Sequence, residues 1–426
     1  MTKKKFFIFP LLFLPILLLP VLLNGMRKGS TGAEPTVVSL QQETIEITGK
    51  GAAESGGVIT IERSGRYLIT GTLQNGRIYV DAGDDGTVLL ELGGAVIDNP
   101  SRAAIYVENA AHVMILLTAG TENTIRSGAE AGGPSDDGES GAAIYAKKDL
   151  FFTGEGSLLV EGGLNNGIQS KAGLQIDSGN IEVNAVNHGI KGKDLVTIAG
   201  GSLRIAAGDR GVQAKYEMRI TGGNLQITAK EGLEANQISI EGGTVDITAG
   251  DDGINANGGE AKQKKDPSED VVETMPNLTI RGGVLHIDAE GDGLDSNGNI
   301  CIEGGELVID GPAGDDDGPI DFGKENGGGC MIRGGTVLAI GSSGMAETFD
   351  ESSEQCSFRW LFDTPYEAGS EIVITDAAGK ELYRHTAARR GASVVFSSPA
   401  LVLGEDYTLC AGEQIVEIRQ KEISVK

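Results

Sequence analysis

The chain has 426 residues, of which 61 are acidic and 35 basic, so its formal net charge at pH 7 is −26. A charge of this sign repels phosphate backbones, which excludes nucleic acid as a partner. It would also repel an anionic polysaccharide unless divalent cations lay between the polymer and the protein. Glycine accounts for 65 residues, about twice its usual share of roughly 7%, and glycine favours tight turns.

The N-terminal segment is typical of an exported protein. Three lysines at 3–5 precede an uninterrupted apolar run over 6–23, which is the pattern of a signal peptide. The run is also long enough to span a bilayer. We therefore predict a signal peptide or membrane anchor over residues 1–25 and a linker over residues 26–36. The body of the protein is expected to be secreted or to lie on the extracellular face of the cell membrane.

From Gly141 to about Met345 the sequence repeats. One marker is a glycine followed by a branched apolar residue, and its steps are 22, 22, 21, 21 and 40 residues. The pairs are Gly167-Ile168, Gly189-Ile190, Gly211-Val212, Gly232-Leu233, Gly253-Ile254 and Gly293-Leu294. A second marker is a turn glycine with nearly the same step, at Gly179, Gly201, Gly223, Gly243, Gly283, Gly305 and Gly335. Two independent markers in phase predict a solenoid.

The segments between the markers alternate apolar and polar residues with period two, as strands do. Residues 174–176 and 196–198 show this pattern, and a second strand such as 203–205 follows each glycine turn. About 21 residues with short strands and no helix predict one coil of a parallel β-helix. Its first coils are less regular, as terminal repeats usually are.

We predict an all-β fold in which a parallel β-helix covers residues 37–345 and a small β-rich unit, residues 346–426, caps its open end. Two polar segments, 127–141 and 258–275, are predicted to be loops. The second loop explains the 40-residue step, because removing about 18 residues restores one coil of the usual length.

Equivalent positions of successive coils lie about 4.8 Å apart in such a fold, so the repeat predicts which side chains touch. The position before the marker glycine holds Asn166, His188, Arg210, Glu231, Asp252, Asp292 and Asp317. The position after the marker hydrophobe holds Gln169, Lys191, Gln213, Glu234, Asn255, Asp295 and Asp321. Both columns become acidic in the last coils.

Stacked carboxylates repel one another by roughly 1 kcal/mol per close pair in water, whereas Ca²⁺ binds 6–8 carboxylate, amide and backbone oxygens. The acidic coils therefore predict a calcium site. The predicted ligands are Asp251, Asp252, Asn255, Asp292, Asp295, Asn297, Asp315, Asp316, Asp317 and Asp321. The alternative is that Asp and Asn occupy these corners only because they tolerate turns.

Four segments resemble a bacterial family of secreted carbohydrate-binding β-helix proteins. They are residues 144–150, the GDGLDSNG run at 291–298, the GGTVLAIGSSGM run at 334–345 and the SSPALVLGEDYTL run at 397–409. The resemblance covers essentially the whole chain after the signal segment. It implies a right-handed parallel β-helix similar in architecture to pectate lyases, bound calcium, and binding of polygalacturonate or cellulose-like glucans.

A pectate-type lyase would also need a basic side chain to remove a proton. Lys191, Arg210, Lys215 and Lys230 are near the acidic coils in the alignment, but nothing in the sequence marks them as buried or paired. We therefore predict no enzyme but a monomeric, calcium-dependent polysaccharide-binding protein. A lyase and an adhesive scaffold stabilised by calcium are the alternatives. The residues predicted to contact the polysaccharide are Lys191, Asp209, Arg210, Lys215, Glu231 and Glu234.

Overall fold

The computed structural model describes residues 34–42, 44–83, 86–128, 141–257 and 275–425. The predicted signal peptide or anchor lies outside the described residues, as do most of the predicted linker and the two loops. Among the residues that are described, no helix is long and apolar enough to cross a membrane. They form an all-β, solenoid-like architecture with long parallel sheets, and one short 3-10 helix covers Lys324–Asn326.

Ten strands form the less regular N-terminal coils. They are β1 (Thr36–Gln42), β2 (Thr44–Thr48), β3 (Ala52–Ser55), β4 (Val58–Ile61), β5 (Gly65–Gln74), β6 (Arg77–Asp81), β7 (Thr87–Asn99), β8 (Ile105–Asn109), β9 (His112–Leu117) and β10 (Glu122–Ser127). β1 pairs with β2, and β3 with β4, in antiparallel fashion. The other pairings of these strands, such as β4 with β6 and β5 with β7, are parallel.

The next 24 strands form eight regular coils of three strands each. They are β11 (Ile144–Ala146), β12 (Leu150–Gly154), β13 (Ser157–Gly162), β14 (Ile168–Ser170), β15 (Leu174–Ile176), β16 (Asn180–Ala185), β17 (Ile190–Gly192), β18 (Leu195–Ile198), β19 (Ser202–Ala207), β20 (Arg210–Ala214), β21 (Glu217–Ile220), β22 (Asn224–Ala229), β23 (Glu231–Glu234), β24 (Gln237–Ile240), β25 (Thr244–Ala249), β26 (Ile254–Ala256), β27 (Asn277–Ile280), β28 (Val284–Ala289), β29 (Leu294–Ser296), β30 (Asn299–Ile302), β31 (Glu306–Asp310), β32 (Ile320–Phe322), β33 (Cys330–Ile332) and β34 (Thr336–Gly341). Each strand pairs in parallel with the equivalent strand of the next coil. The first strands of these coils continue β3, β4, β6 and β8 as a 12-stranded sheet, which we call the site sheet.

The predicted repeat is confirmed by the register of the strands. Ile168 lies opposite Ile190, and the series of marker hydrophobes continues to Leu294 opposite Ile320. Every turn glycine of the second marker has a positive φ, between +88° and +118°. The 40-residue step is one coil plus an insertion, because β24 pairs directly with β27.

The marker glycines are required by close packing. A Cβ atom on Gly253 would lie 2.3 Å from Cγ2 of Ile287 in β28 of the same coil and 2.7 Å from the carbonyl oxygen of Gly293 in the next coil. The equivalent Gly211 would place its Cβ 2.3 Å from Ile227. Heavy atoms do not approach this closely, so the site sheet can lie directly on the core only where the side chain is a hydrogen atom. One continuous core of buried aliphatic residues fills the space behind it.

The C-terminal strands are β35 (Ser357–Tyr366), β36 (Glu371–Asp376), β37 (Glu381–Thr386), β38 (Gly391–Ser397), β39 (Asp406–Ala411), β40 (Gln414–Arg419) and β41 (Ser424–Val425). β38 pairs in antiparallel fashion with β34 and so covers an edge of the last coil. β36, β37, β39 and β40 form a separate antiparallel sheet, whose core includes Leu338 and Ile340 of β34. Residues 36–426 form one compact unit, within which the last regular coil ends at Gly341.

A buried aspartate joins the C-terminal sheet to the coils. Asp310 is fully buried, and its carboxylate lies 2.8 Å from Nε2 of His385 and 3.3 Å from Nε2 of His286. It also accepts a hydrogen bond from the N–H of Ala388 at 2.8 Å. Burial acts to raise the pKa of Asp310, but these hydrogen bonds outweigh it and lower the pKa to about 2. Asp310 is therefore ionised at neutral pH and links residues on two different sheets.

We expect Asp310→Ala to lower the free energy of unfolding by about 2–3 kcal/mol, because it leaves buried donors without their charged acceptor. Asp246→Ala is the matched control. Asp246 contacts the other ring nitrogen of His286 at 3.4 Å but is half-exposed, so its loss should cost less than about 1 kcal/mol. Urea denaturation of the variants measures both values, and equal losses would contradict the role given to Asp310.

Candidate functional site

One column of outward-facing side chains runs along the site sheet. In register order it holds Tyr79, Tyr106, Tyr145, Gln169, Lys191, Gln213, Glu234, Asn255, Asp295 and Asp321. From Gln169 onwards this is the second predicted column, which the register confirms. Its character changes along the sheet from aromatic, through amide and basic, to acidic.

The aromatic end is a stack of tyrosines that the sequence reasoning missed. The ring centroids of Tyr79 and Tyr106 are 5.4 Å apart, and those of Tyr106 and Tyr145 are 5.3 Å apart. Tyr106 and Tyr145 are almost completely buried, and the guanidinium of Arg77 lies 5.0 Å from the centroid of Tyr106. The stacked rings stabilise the sheet, and Tyr106 and Tyr145 offer almost no exposed surface to a ligand.

A groove of about 370 Å³ follows next along the same face. It is lined by Gln169, Ser170, Lys171, His188, Lys191, Gly192, Lys193, Asp209, Arg210, Gln213, Ala214, Lys215 and Glu234. Five of the six residues predicted to contact a polysaccharide are therefore brought together here. The sixth, Glu231, lies beside the groove, where it pairs with Arg210.

Arg210 marks the boundary between the basic and the acidic parts of the face. Its Nη1 lies 2.5 Å from Oδ2 of Asp209, its Nη2 lies 3.0 Å from Oε1 of Glu231, and its Nε pairs with Glu234. Burial raises the pKa of Glu231 to about 7 in spite of the nearby Arg210. These four predicted contact residues thus form an ion cluster in which the positive charge of Arg210 is satisfied within the protein.

The acidic end gathers three of the predicted metal ligands. Carboxylate oxygens of Asp292, Asp295 and Asp321 lie within 4.8 Å of one another. The neighbouring Asp252 accepts hydrogen bonds from the N–H of Asp292 and from Nδ2 of Asn255, both at 2.9 Å. Two turns of adjacent coils are tied together in this way, so the cluster is positioned by the backbone of the solenoid itself.

The crowded carboxylates hold protons unusually well. Burial, with smaller contributions from Asp252 and Asp321, raises the pKa of Asp292 to about 8, although the N–H of Gly318 donates to it. Burial and the same two neighbours raise the pKa of Asp295 to about 7. The ionised cluster is therefore unfavourable by itself, and a cation would relieve the repulsion.

Two buried oxygens near this cluster have no hydrogen-bond donor among the residues that the structure describes. They are Oδ1 of Asn255 and Oε2 of Glu231, and the two residues are 8% and 6% exposed. Asn255 lies opposite Asp295 in the outward column. Unpartnered oxygens beside carboxylates are a set of ligands that suits a hard, oxygen-binding cation such as Ca²⁺.

The other predicted ligands lie outside the group of three. Asp251 forms an ion pair with Lys230 at 3.0 Å, and Asn297, Asp315 and Asp316 are exposed. The predicted alignment of Asp317 with Asp292 is wrong by one residue. The N–H of Gly293 donates to the carbonyl of Gly318, so Gly318 occupies that position. The reason is that Pro319 replaces the marker glycine in this coil.

Sequence reasoning also missed three lysines of this face. Lys147, Lys171 and Lys193 stand three residues after the marker hydrophobes Ile144, Ile168 and Ile190, and Lys215 holds the same position in the next coil. The repeat alignment that revealed the acidic columns contained this signal as well.

Residues 55–318, more than half of the chain, match the family described as carbohydrate-binding domain-containing protein. A protein of that description from Acetivibrio thermocellus is 36% identical over 129 residues, which are 30% of this chain and 45% of that protein. The chain thus spans less than half the length of this curated relative. A solved structure titled "polysaccharide lyase-like protein from C. thermocellum, Gadolinium derivative" is 26% identical and covers 60% of this chain and 91% of that one. The TM-score of this comparison is 0.47. By the extent of the family match, the chain belongs to the family of carbohydrate-binding domain-containing proteins.

Proposed function

We propose that this protein binds acidic polysaccharides of the polygalacturonate type along the outer face of the site sheet, with Ca²⁺ held at the acidic end. The observation that carries the proposal is the group Asp292, Asp295 and Asp321 beside the unpartnered oxygen of Asn255, in a chain of a carbohydrate-binding family. β-Glucans are the second class of polysaccharide that the sequence resemblance suggests.

Calcium has two roles in this proposal. Bound by the three aspartates, it would neutralise carboxylates whose pKa values burial has raised. Because Ca²⁺ accepts 6–8 oxygen ligands, three carboxylates and one amide leave positions for the oxygens of a sugar acid. The ion would then bridge an acidic protein and an acidic polymer that otherwise repel each other.

The distance between the lysines and the aspartate group along the site sheet favours binding without cleavage. A lyase of the pectate type needs its cation and its base at the same sugar. Burial and the charge of Lys171 lower the pKa of Lys191, so this lysine is the best available base. Four coil steps separate it from Asp295 in the outward column, which is about 19 Å at the usual strand spacing. That distance exceeds the length of one sugar ring.

We propose in addition that the solenoid is a right-handed parallel β-helix and that the protein acts as a monomer outside the cell. The parallel pairing of three strands per coil supports the first point. The lysines and the apolar run at the N-terminus support the location outside the cell.

The stability of the protein without calcium should fall as the pH rises from about 5 to 8. The folded-state pKa values of Asp292 and Asp295, about 8 and 7, exceed the usual unfolded value of about 3.9. The folded chain therefore binds more protons than the unfolded chain in this window, and stability is lost as pH rises through the raised values. Calcium at a hundredfold excess over its Kd should add back about 2.7 kcal/mol at pH 8. Thermal unfolding with EDTA or calcium measures both effects.

The control for this prediction is a pair of variants with equal charge change. Asp292→Asn with Asp295→Asn should flatten the pH dependence in EDTA and reduce the calcium effect. Asp363→Asn with Glu405→Gln removes two exposed carboxylates of the C-terminal region and should leave both the pH dependence and the calcium effect unchanged. A wild-type protein whose unfolding is indifferent to calcium at pH 8 would argue for an adhesive or purely structural solenoid.

Polysaccharide binding should be seen without turnover. We expect insoluble polygalacturonate to retain the protein in calcium, and we expect no unsaturated uronide to accumulate, as followed by ultraviolet absorbance at pH 7–9. Retention by neutral cellulose alone would shift the substrate class to β-glucans. Steady product formation that Lys191→Gln abolishes would instead establish the lyase.

Export is tested separately by protease protection of intact cells that express the full chain. The body of the protein should be digested from outside, because positively charged residues before an apolar segment stay in the cytoplasm. Digestion only after the cells are broken would contradict export.

A further inference from the structure

A row of lysines follows the inner edge of the groove. Three residues beyond each marker hydrophobe, four successive coils carry the same side chain: Lys147, Lys171, Lys193 and Lys215. The preceding residues Ser170, Gly192 and Ala214 are in register. The backbones of neighbouring lysines therefore lie about 4.8 Å apart. In the coils that follow, the position holds Asn236, Asn257 and Asn297. The positive charge therefore ends where the carboxylates begin.

Most of this row lacks an ion-pair partner within the described chain. Lys147 is paired with Glu108 at 2.8 Å, and Nζ of Lys215 lies 5.1 Å from the centroid of the Tyr216 ring. No described carboxylate lies within ion-pair distance of Lys171, Lys191 or Lys193. Like charges at stacked positions destabilise a sheet. In a chain with 61 acidic residues, uncompensated lysines at adjacent positions call for a partner from outside.

The groove beside the lysines has buried polar atoms without partners. His188 is 5% exposed, and its Nδ1 makes no hydrogen bond because the nearest carboxylate, of Asp209, is 3.6 Å away. Oε1 of Gln213 in the same wall is likewise without a partner. Buried polar atoms are rarely left unpaired, so the hydroxyl groups of a sugar that enters the groove, which both donate and accept, would pair with them.

The electrostatics of the groove agree with an anionic ligand. Burial, followed by the charge of Lys171, lowers the pKa of Lys191. An anion next to Lys191 would offset both effects, because it stabilises the ammonium form. At the edge of the groove, Tyr216 is 49% exposed and offers an apolar ring beside Lys215. An acidic sugar has a carboxylate next to an apolar ring face, so its two groups would match Lys215 and the ring of Tyr216.

We propose that Lys171, Lys191, Lys193 and Lys215 bind the carboxylates of an acidic polysaccharide directly, without a cation, and that the same chain continues to the calcium-holding acidic end. This inference rests on the proposed function and adds to it a second binding region that does not need calcium. A uronate polymer suits the row because it carries one negative charge per sugar. Nucleic acid has a higher charge density and is repelled more strongly by a protein of net charge −26.

The test is binding of oligogalacturonate of defined length, measured by calorimetry in EDTA and again in calcium. In EDTA the wild type should bind, and Lys171→Gln with Lys193→Gln should raise the Kd by about tenfold, the loss expected from weakening charged hydrogen bonds. Lys380→Gln with Lys421→Gln makes the same change of net charge at exposed sites between the C-terminal strands and should leave the Kd unchanged. The fully methyl-esterified oligomer should bind the wild type no better than the double variant binds the acid.

The outcomes separate this inference from the proposed function. Binding in calcium but none in EDTA, or equal Kd values for the wild type and the groove variant, would overturn the lysine site and leave the calcium-dependent binder intact. No binding in either condition would overturn the proposed function itself. Equal affinity for a single-stranded oligonucleotide in EDTA would overturn the assignment to polysaccharide. Unchanged thermal unfolding of the groove variant would show that a lost affinity is not a loss of fold.

Discussion

The close contact between the site sheet and the core beneath it is the constraint on which the rest of the structure depends. At Gly253 and its equivalents there is room for a hydrogen atom and no more, since a Cβ would meet Ile287 at 2.3 Å. A slip of one residue would place a side chain in that space and turn every outward residue inward. The coils must therefore stack in one register, and equivalent residues of successive coils must touch.

That stacking converts a sequence repeat into a surface with separated charges. Lysines collect along four coils and aspartates along the last three, and each group is unfavourable while it faces only its own kind. The charge of Arg210 is neutralised within the protein, because three carboxylates surround it. On either side of Arg210, neither Lys171 and Lys193 nor the group Asp292, Asp295 and Asp321 has such an ion pair within the described chain. Both ends are thus suited to charges brought from outside, an anion at one and a cation at the other.

The sequence was sufficient to predict the period, the strands and the outward column, because those depend on a local pattern repeated many times. It failed where one coil departs from the pattern. Pro319 in place of the marker glycine moved Asp317 out of line with Asp292. The sequence also does not indicate how deeply a side chain is buried. The lowered pKa of Lys191 and the enclosed tyrosine stack are therefore known only from the packing. The repeat alignment contained the lysine row, but the groove beside it is known only from the structure.

The overall negative charge and the basic groove act over different distances. At physiological ionic strength the field of exposed charges decays over about 8 Å, so the remaining acidic surface contributes little to a ligand already seated between Lys171 and Lys193. At contact the ammonium groups of the groove dominate, because screening by water and salt is weakest at short distances. A protein with a strongly acidic surface can therefore hold an acidic polymer at one groove, while its net charge still disfavours polymers of higher charge density such as nucleic acid.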